Sequence, residues 1–213
     1  MSRTILTDLG NVVVRFSFKR VAQNFHRLVP DTDVDALEKL LVDDERGLDL
    51  HERLETGFAD PETYREGMSK LLGLPANVEP TIFWNCHCNL FTNNNPVIDL
   101  WRRACATDPE LRLIAFSDCD PIRLGAVVRQ TGLAFHRAVT SFRVGAWKPD
   151  AKMFKTALRV SECPPASIFY VDDKPDNVQA GTQHGFVSHR YDLDDPARDT
   201  LLQQAFNAFL AST

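Results

Sequence analysis

"TILTDLGNVVVRF", residues 4–16, runs four residues of β character or apolar bulk into Asp8, breaks at Gly10-Asn11 and resumes with three valines. A carboxylate at the mouth of a buried strand, followed by a tight turn, is a reactive group held out of a sheet. Four more strand-like runs follow: "LRLIAF" (111–116), "RAVT" (137–140), "SIFYV" (167–171) and "GFVSHR" (185–190). Amphipathic stretches of helical length separate them, one carrying Leu124, Val127 and Val128, the next Met153, Phe154, Ala157 and Leu158. Strands alternating with helices predict a parallel sheet wound with helices, an α/β fold of Rossmann-like type.

The interval between the first two strands is of another kind, almost purely helical in its periodicity. Phe18, Val21, Ala22, Phe25, Leu28 and Val29 recur at three and four residues, and Val34, Leu37, Leu40 and Leu41 form a second apolar face. Asp60-Pro61 supplies an N-cap and first-turn proline for a third helix, with Tyr64, Met68, Leu71 and Leu72 inside and Gly73 as its stop. Asn95-Pro96 opens a helix through Trp101 that returns to the core. Residues 17–92 are therefore read as an all-α insert, and 1–16 with 93–213 as the core. No convincing strand is read in the interval between strands one and two. Such stripes are packing faces before they are anything else.

A chain of 213 residues suits one α/β domain with an insert. Its net charge of −5 and lack of any dense Lys/Arg run argue against nucleic acid or an anionic membrane as partner. No apolar run approaches the roughly 18 residues that span a bilayer. The opening "MSRTILTDLG" meets a polar break too early for a secretory leader. Five cysteines, an odd number without framework spacing, point to a reducing cytoplasm. Cys86-His87-Cys88 lacks a second ligand pair, so it is read as a helix or loop edge and not as a zinc site.

In an open parallel sheet, ligands bind at the carboxyl ends of the strands. Asp8 follows strand one, Ser117 follows strand two, Lys148 lies shortly after strand three, and Asp172-Asp173 follow strand four. Singly these are ordinary turn, loop and surface residues. Together they bring a carboxylate, a hydroxyl, an ammonium and an acidic pair to one edge.

The series "DLGNV", "FSD", "TSFRVGAWKPDAKMF" and "VDDKPDNVQAG" resembles the four motifs of the haloacid dehalogenase-like hydrolase superfamily. Ser141, Gly145, Lys148 and Pro149 keep its third motif's spacing, Asp173 to Gly181 its fourth, and the helical insert falls where one class carries its cap. The "DLGN" form of the first motif is similar to that of a subgroup containing sugar-1-phosphate phosphatases. The resemblance implies the strand order 5-4-1-2-3 and Mg2+-dependent hydrolysis of a small phosphorylated metabolite through an aspartyl phosphate.

It further implies Asp8 as nucleophile, with Asp8, the Gly10 carbonyl, Asp173 and, directly or through water, Asp172 around Mg2+. Lys148 offsets the crowded negative charge. Ser117, Asp118, Asn11 and backbone N–H groups of the Leu9–Asn11 turn face the phosphate, and Asn177 supports the metal loop. The partner is a small phosphate ester, and the protein is expected as a cytoplasmic monomer or homodimer.

Two positions depart from the family pattern. Gly10 stands where most phosphatases of this kind carry a second Asp that protonates the leaving alcohol, help worth about 10²–10⁴ in rate. Either the substrate has a good leaving group, or another acid (Asp118, Asp120, His51 or Glu52) substitutes, or the site binds phosphate without turnover. Asp118 is the second departure, an acid where Asn is frequent. A metal-free 2-haloacid dehalogenase and a non-catalytic phospho-ligand binder are the alternatives. The acidic pair Asp172-Asp173 weighs against the first, since expelling halide without a metal gains nothing from extra carboxylates.

Overall fold

A computed structural model describes residues 3–212. The chain begins β1 (Thr4–Thr7), β2 (Val14–Phe16), α1 (Phe18–His26), α2 (Val34–Val42), α3 (Glu45–Glu55), α4 (Pro61–Leu71) and α5 (Pro80–Cys88). It continues β3 (Phe91–Asn93), α6 (Asn95–Thr107), β4 (Arg112–Ser117), α7 (Pro121–Thr131), β5 (Arg137–Thr140), α8 (Ser141–Val144) and α9 (Ala151–Ser161). It ends β6 (Ile168–Asp172), α10 (Pro175–Gln183), β7 (Val187–Arg190) and α11 (Arg198–Ala211).

Strand β1 is buried along its whole length because it pairs on both sides, with β4 (Thr4↔Arg112 to Thr7↔Ala115) and with β6 (Thr4↔Ile168 to Thr7↔Val171). The sheet is parallel throughout, in the order β5-β4-β1-β6-β7. Only the numbering separates this from the expected 5-4-1-2-3: counted without the short β2 and β3, the core strands run in that same order. Alternation sends Ile5, Leu113 and Phe169 to one face and Leu6, Ile114 and Tyr170 to the other. The first face packs on α6 and α11, where the Trp101 and Phe206 rings meet edge-on at 5.3 Å. The second packs on α9, with Phe154 against Phe116 at 5.2 Å.

Helices α1 to α5 close around an apolar cluster of their own that includes Val21, Phe25, Leu37, Tyr64, Met68 and Phe83. Asp60 caps α4 by accepting from Glu62 and Thr63 N–H, and Gly73 just beyond its end has φ +67°. Helices α3 and α5 and strands β2 and β3 escaped the sequence pattern here. Helix α3 buries only Gly47, His51 and Leu54, too few apolar positions to print a stripe. Strands β2 and β3 correct the expectation of a strandless interval between the first two core strands: they pair antiparallel, Val14↔Asn93, Arg15↔Thr92 and Phe16↔Phe91. Three residues are too short a run to display a period of two. The pair ties the chain's departure from the sheet to its return.

Helix α10 lies so close to β6 and β7 that a Cβ on Gly181 would stand 2.4 Å from the Tyr170 ring and 2.8 Å from Ser188 Oγ. Replacing Gly181 by Ala is therefore expected to destabilise the protein by about 1–3 kcal/mol through overpacking, read as a lower urea midpoint at unchanged slope.

Candidate active site

The elements that carry Asp8, Ser117, Asp172 and Asp173 all end at one edge of the sheet, and Lys148 reaches them from the loop between α8 and α9. Its buried ammonium has three hydrogens and three acceptors: Asp172 Oδ2 at 2.6 Å, Phe116 O at 2.9 Å and Asp8 Oδ1 at 3.1 Å. Burial alone would lower the lysine's pKa, but Asp172 and Asp8 hold it well above the ordinary value. Asp172 is equally saturated. Its carboxylate takes Lys148 Nζ, the Tyr170 hydroxyl at 2.7 Å, Lys174 N–H at 3.0 Å and the Asn177 amide at 3.0 Å.

Asp8 is bound more loosely. Oδ1 accepts the Leu9 N–H at 2.8 Å, and the Ser117 hydroxyl donates to the same carboxylate. Burial pushes the Asp8 carboxyl up to about 7; Lys148 pulls against this, while Asp172 and Asp173 repel. Oxygens of Asp8, Asp172 and Asp173 lie within 4.8 Å of one another. An all-oxygen donor set with surplus negative charge suits a hard divalent cation such as Mg2+ and no thiophilic metal. Asp172 already receives four donors, which leaves Asp8 and Asp173 as the less committed carboxylates of the three.

The turn after Asp8 differs in detail from the sequence reading. The left-handed residue is Asn11, φ 61°, while Gly10 is not among the residues with positive φ. Asn tolerates that region better than most. Its amide reaches Asp173 Oδ2 at 2.9 Å, and its N–H donates to Val14 O at 2.6 Å. Leu9 and Asn11 N–H are thus committed within the loop, contrary to their expected place on phosphate. A Cβ at Gly10 would stand 3.1 Å from Phe16 Cε1.

The proposed substitute acids separate clearly. Asp120 is fully buried and caps α7 through Ile122 and Arg123 N–H; burial would raise it, but His87, Arg123 and those bonds hold it down to about 2. Burial and Arg123 keep His51 well below its usual pKa, a neutral ring beside the Tyr64 hydroxyl. Asp118 faces the cavity and accepts Lys148 N–H at 3.0 Å; burial raises its pKa. Glu52 lines the cavity from an exposed position. Ser141 Oγ accepts Cys119 N–H at 3.0 Å and so steadies the loop carrying Ser117 and Asp118.

A cavity of about 570 Å3 opens on Asp8, Ser117, Asp118 and Asp173 and extends beneath α1 to α3. The sequence reading missed two of its lining residues. Glu55, from α3, pairs with Arg123 of α7 at 3.0 Å, and burial pushes its carboxyl up to about 7 against that pairing. Neither residue stands in a recognisable motif; an arginine on the first turn of a helix gives no sign in sequence that it will be buried. His87 corrects the reading of Cys86-His87-Cys88 as an edge: it is fully buried, 3.8 Å from Asp120 and packed on Tyr64 and Phe83.

No protein-family model matches the chain. Its fold is that of the haloacid dehalogenase-like hydrolases. A HAD-family enzyme of Bacteroides thetaiotaomicron, solved with magnesium and inorganic phosphate, superposes with a TM-score of 0.72 over 92% of this chain and 96% of its own at 17% identity. L-2-haloacid dehalogenase of Xanthobacter autotrophicus superposes at 0.61 over 99% and 88%, with 18% identity. In sequence, the D-ribitol-5-phosphate phosphatase of B. thetaiotaomicron is 23% identical over 209 residues, 87% of this chain and 90% of that protein.

The buried histidine makes a measurable link between pH and the helical layer. Burial, then Arg123, holds His87 down to about 4 from the usual 6.5, so the unfolded chain binds more protons between those values. That contribution is present at neutral pH and is lost as pH falls through this window. Unfolding at pH 7 and pH 5 should show a loss smaller in His87→Gln than in wild type, by about 2 kcal/mol; identical losses would contradict it.

Proposed function

We propose that this chain is a Mg2+-dependent phosphatase of a small phosphorylated metabolite, working through an aspartyl phosphate on Asp8. The observation that carries the reading is the Lys148 ammonium fixed between Asp8 and Asp172. It aims a carboxylate into the cavity and leaves the Asp8–Asp173 side open to a cation. The phosphatase relative and the magnesium and phosphate complex of the structural neighbour support it.

Asp8, the Gly10 carbonyl and Asp173 would hold Mg2+, which when bound neutralises phosphate charge. An Asp8 oxygen attacks phosphorus, the bond to the leaving oxygen breaks, and its electron pair departs with that oxygen. Water then attacks the same phosphorus, releasing inorganic phosphate and restoring the carboxylate. Ser117 holds phosphate oxygens beside Asp118 and Asn11. Lys148, whose three hydrogens are taken by Asp8, Asp172 and Phe116 O, offsets the charge around the nucleophile without touching phosphate, and Asn177 keeps Asp172 and the α10 loop in place. Residues 17–92 act as a helical cap over a core of residues 1–16 and 93–213, with the β2–β3 pair as its neck.

A metal-free dehalogenase has no use for Asp173 beside Asp8. A non-catalytic phosphate binder has no use for a carboxylate where the phosphorus must sit. Net charge −5 and five unbridged cysteines support a cytoplasmic protein without a nucleic-acid partner, and no helix among the described residues is long and apolar enough to cross a membrane.

Two sets of measurements test this. Hydrolysis of acetyl phosphate should vanish with EDTA and return with Mg2+, and Asp8→Asn should lower kcat by about four orders of magnitude or more in a folded protein. With no acid at Gly10, rates should rise steeply with leaving-group acidity, and Gly10→Asp should flatten that slope. The backbone there is not left-handed, and the half-exposed Phe16 ring has room to yield. A flat slope in wild type would show that another group already donates the proton.

A further inference from the structure

The cavity beyond the phosphate end has few polar groups left free to bind a ligand. Glu55 is spent on Arg123 at 3.0 Å, Asp118 on Lys148 N–H at 3.0 Å, Asn11 on Asp173 at 2.9 Å, and His51 sits against the Tyr64 hydroxyl at 3.3 Å. Arg123 keeps one buried guanidinium nitrogen, Nη2, without a hydrogen-bond partner, and Glu52 and Lys174 remain, both exposed. Facing them are Phe16, Phe18, Leu48, Leu124 and Trp147. Three of these are large apolar side chains left substantially exposed, Phe16 at 42%, Leu48 at 47% and Trp147 at 37%. Exposed apolar side chains that converge on one cavity are surface that a ligand covers. A polyol chain lying along this apolar wall would exchange water for hydrocarbon and leave the hydroxyls facing it unpaired.

The second observation is independent of the first. The space where a leaving-group acid would stand is bordered by the Phe16 ring, 3.1 Å from the Cβ position of Gly10. Phe16 in turn meets Phe18 edge-on at 5.8 Å. An aromatic wall donates no proton from that position, which favours a leaving oxygen able to carry its own charge.

Taking the phosphatase reading as its basis, we infer that the substrate is an aryl phosphate: a monoester whose phosphate is borne by an aromatic ring that lies against Phe16, Leu48 and Trp147. A phenolate satisfies both observations, being flat and apolar and spreading its negative charge into the ring. When the Asp8–phosphorus bond forms, the phosphorus–aryloxy bond breaks and its electron pair leaves on the phenolate, which takes a proton from solvent. Water then displaces Asp8 from phosphorus, so one ester and one water give one phenol and one inorganic phosphate.

Phosphonates isolate recognition of the ring, because they have no leaving group. Inhibition of Mg2+-supported acetyl phosphate hydrolysis should be compared for methylphosphonate, phenylphosphonate and naphthylphosphonate, alongside kcat/KM for phenyl phosphate and D-ribitol 5-phosphate. The inhibition constant should fall about tenfold or more from methyl to phenyl and again to naphthyl. That gain should shrink in Trp147→Ser and in Leu48→Ser, and phenyl phosphate should be preferred to the polyol ester. Equal inhibition by the three phosphonates, or preference for D-ribitol 5-phosphate, overturns the aryl assignment while leaving the phosphatase intact. Absence of acetyl phosphate hydrolysis overturns both.

Discussion

One ammonium organises this molecule. Lys148 Nζ sits between Asp172 and Asp8 with the Phe116 carbonyl as its third acceptor, a buried charge whose desolvation cost only complete pairing can offset. The sheet order follows from the same demand, because β1 must lie between β4 and β6 for Asp8, Phe116 and Asp172 to reach one nitrogen. The neighbours of Asp172 extend the arrangement outward: Tyr170 from the same strand, Asn177 from α10 and the Lys174 backbone. Gly181 lets α10 come close enough to Tyr170 for that set to form. Three carboxylates against one lysine leave negative charge in excess, and burial then drives Asp8 toward protonation. A divalent cation held by Asp8 and Asp173 would oppose that tendency and favour the ionised carboxylate.

A second buried charge set joins the helical layer to the core. Arg123 of α7 meets Glu55 of α3 at 3.0 Å, and Asp120 faces His87 of α5. Both contacts cross between elements that share no apolar cluster, since α3 and α5 pack in the cluster of Leu54 and Phe83 while α7 packs with the sheet. Cavity and contacts lie on the same side, so any displacement of α3 that opens the cavity also exposes Glu55 and Arg123 to water.

The sequence displayed the core well because its signals are redundant there. Each strand ends at a polar residue of distinctive type, and the spacing from Ser141 to Pro149 and from Asp173 to Gly181 adds a second, independent mark. The insert printed only those helices with wide apolar faces, α1, α2 and α4. Helix α3 carries Arg46, Asp49, Glu52 and Arg53 among its few buried positions, and β2 and β3 are too short for alternation to register. What stayed illegible in the site is of one physical kind. Glu55, Arg123 and His87 have their character set by burial and by partners distant in sequence, such as the 68 positions between Arg123 and Glu55. The glycine at position 10 was visible as an absence, but the aromatic ring occupying its flank required the fold.

The central claim is that Asp8, held by Lys148, attacks phosphorus. Acid quenching during Mg2+-supported turnover of acetyl phosphate, followed by peptide mass spectrometry, tests it directly. The account predicts a phosphoryl group on Asp8 and on no other residue, with solvent oxygen-18 appearing in released phosphate and not in the Asp8 carboxylate. Turnover with an unmodified Asp8, or with the phosphoryl group on another side chain, would contradict it.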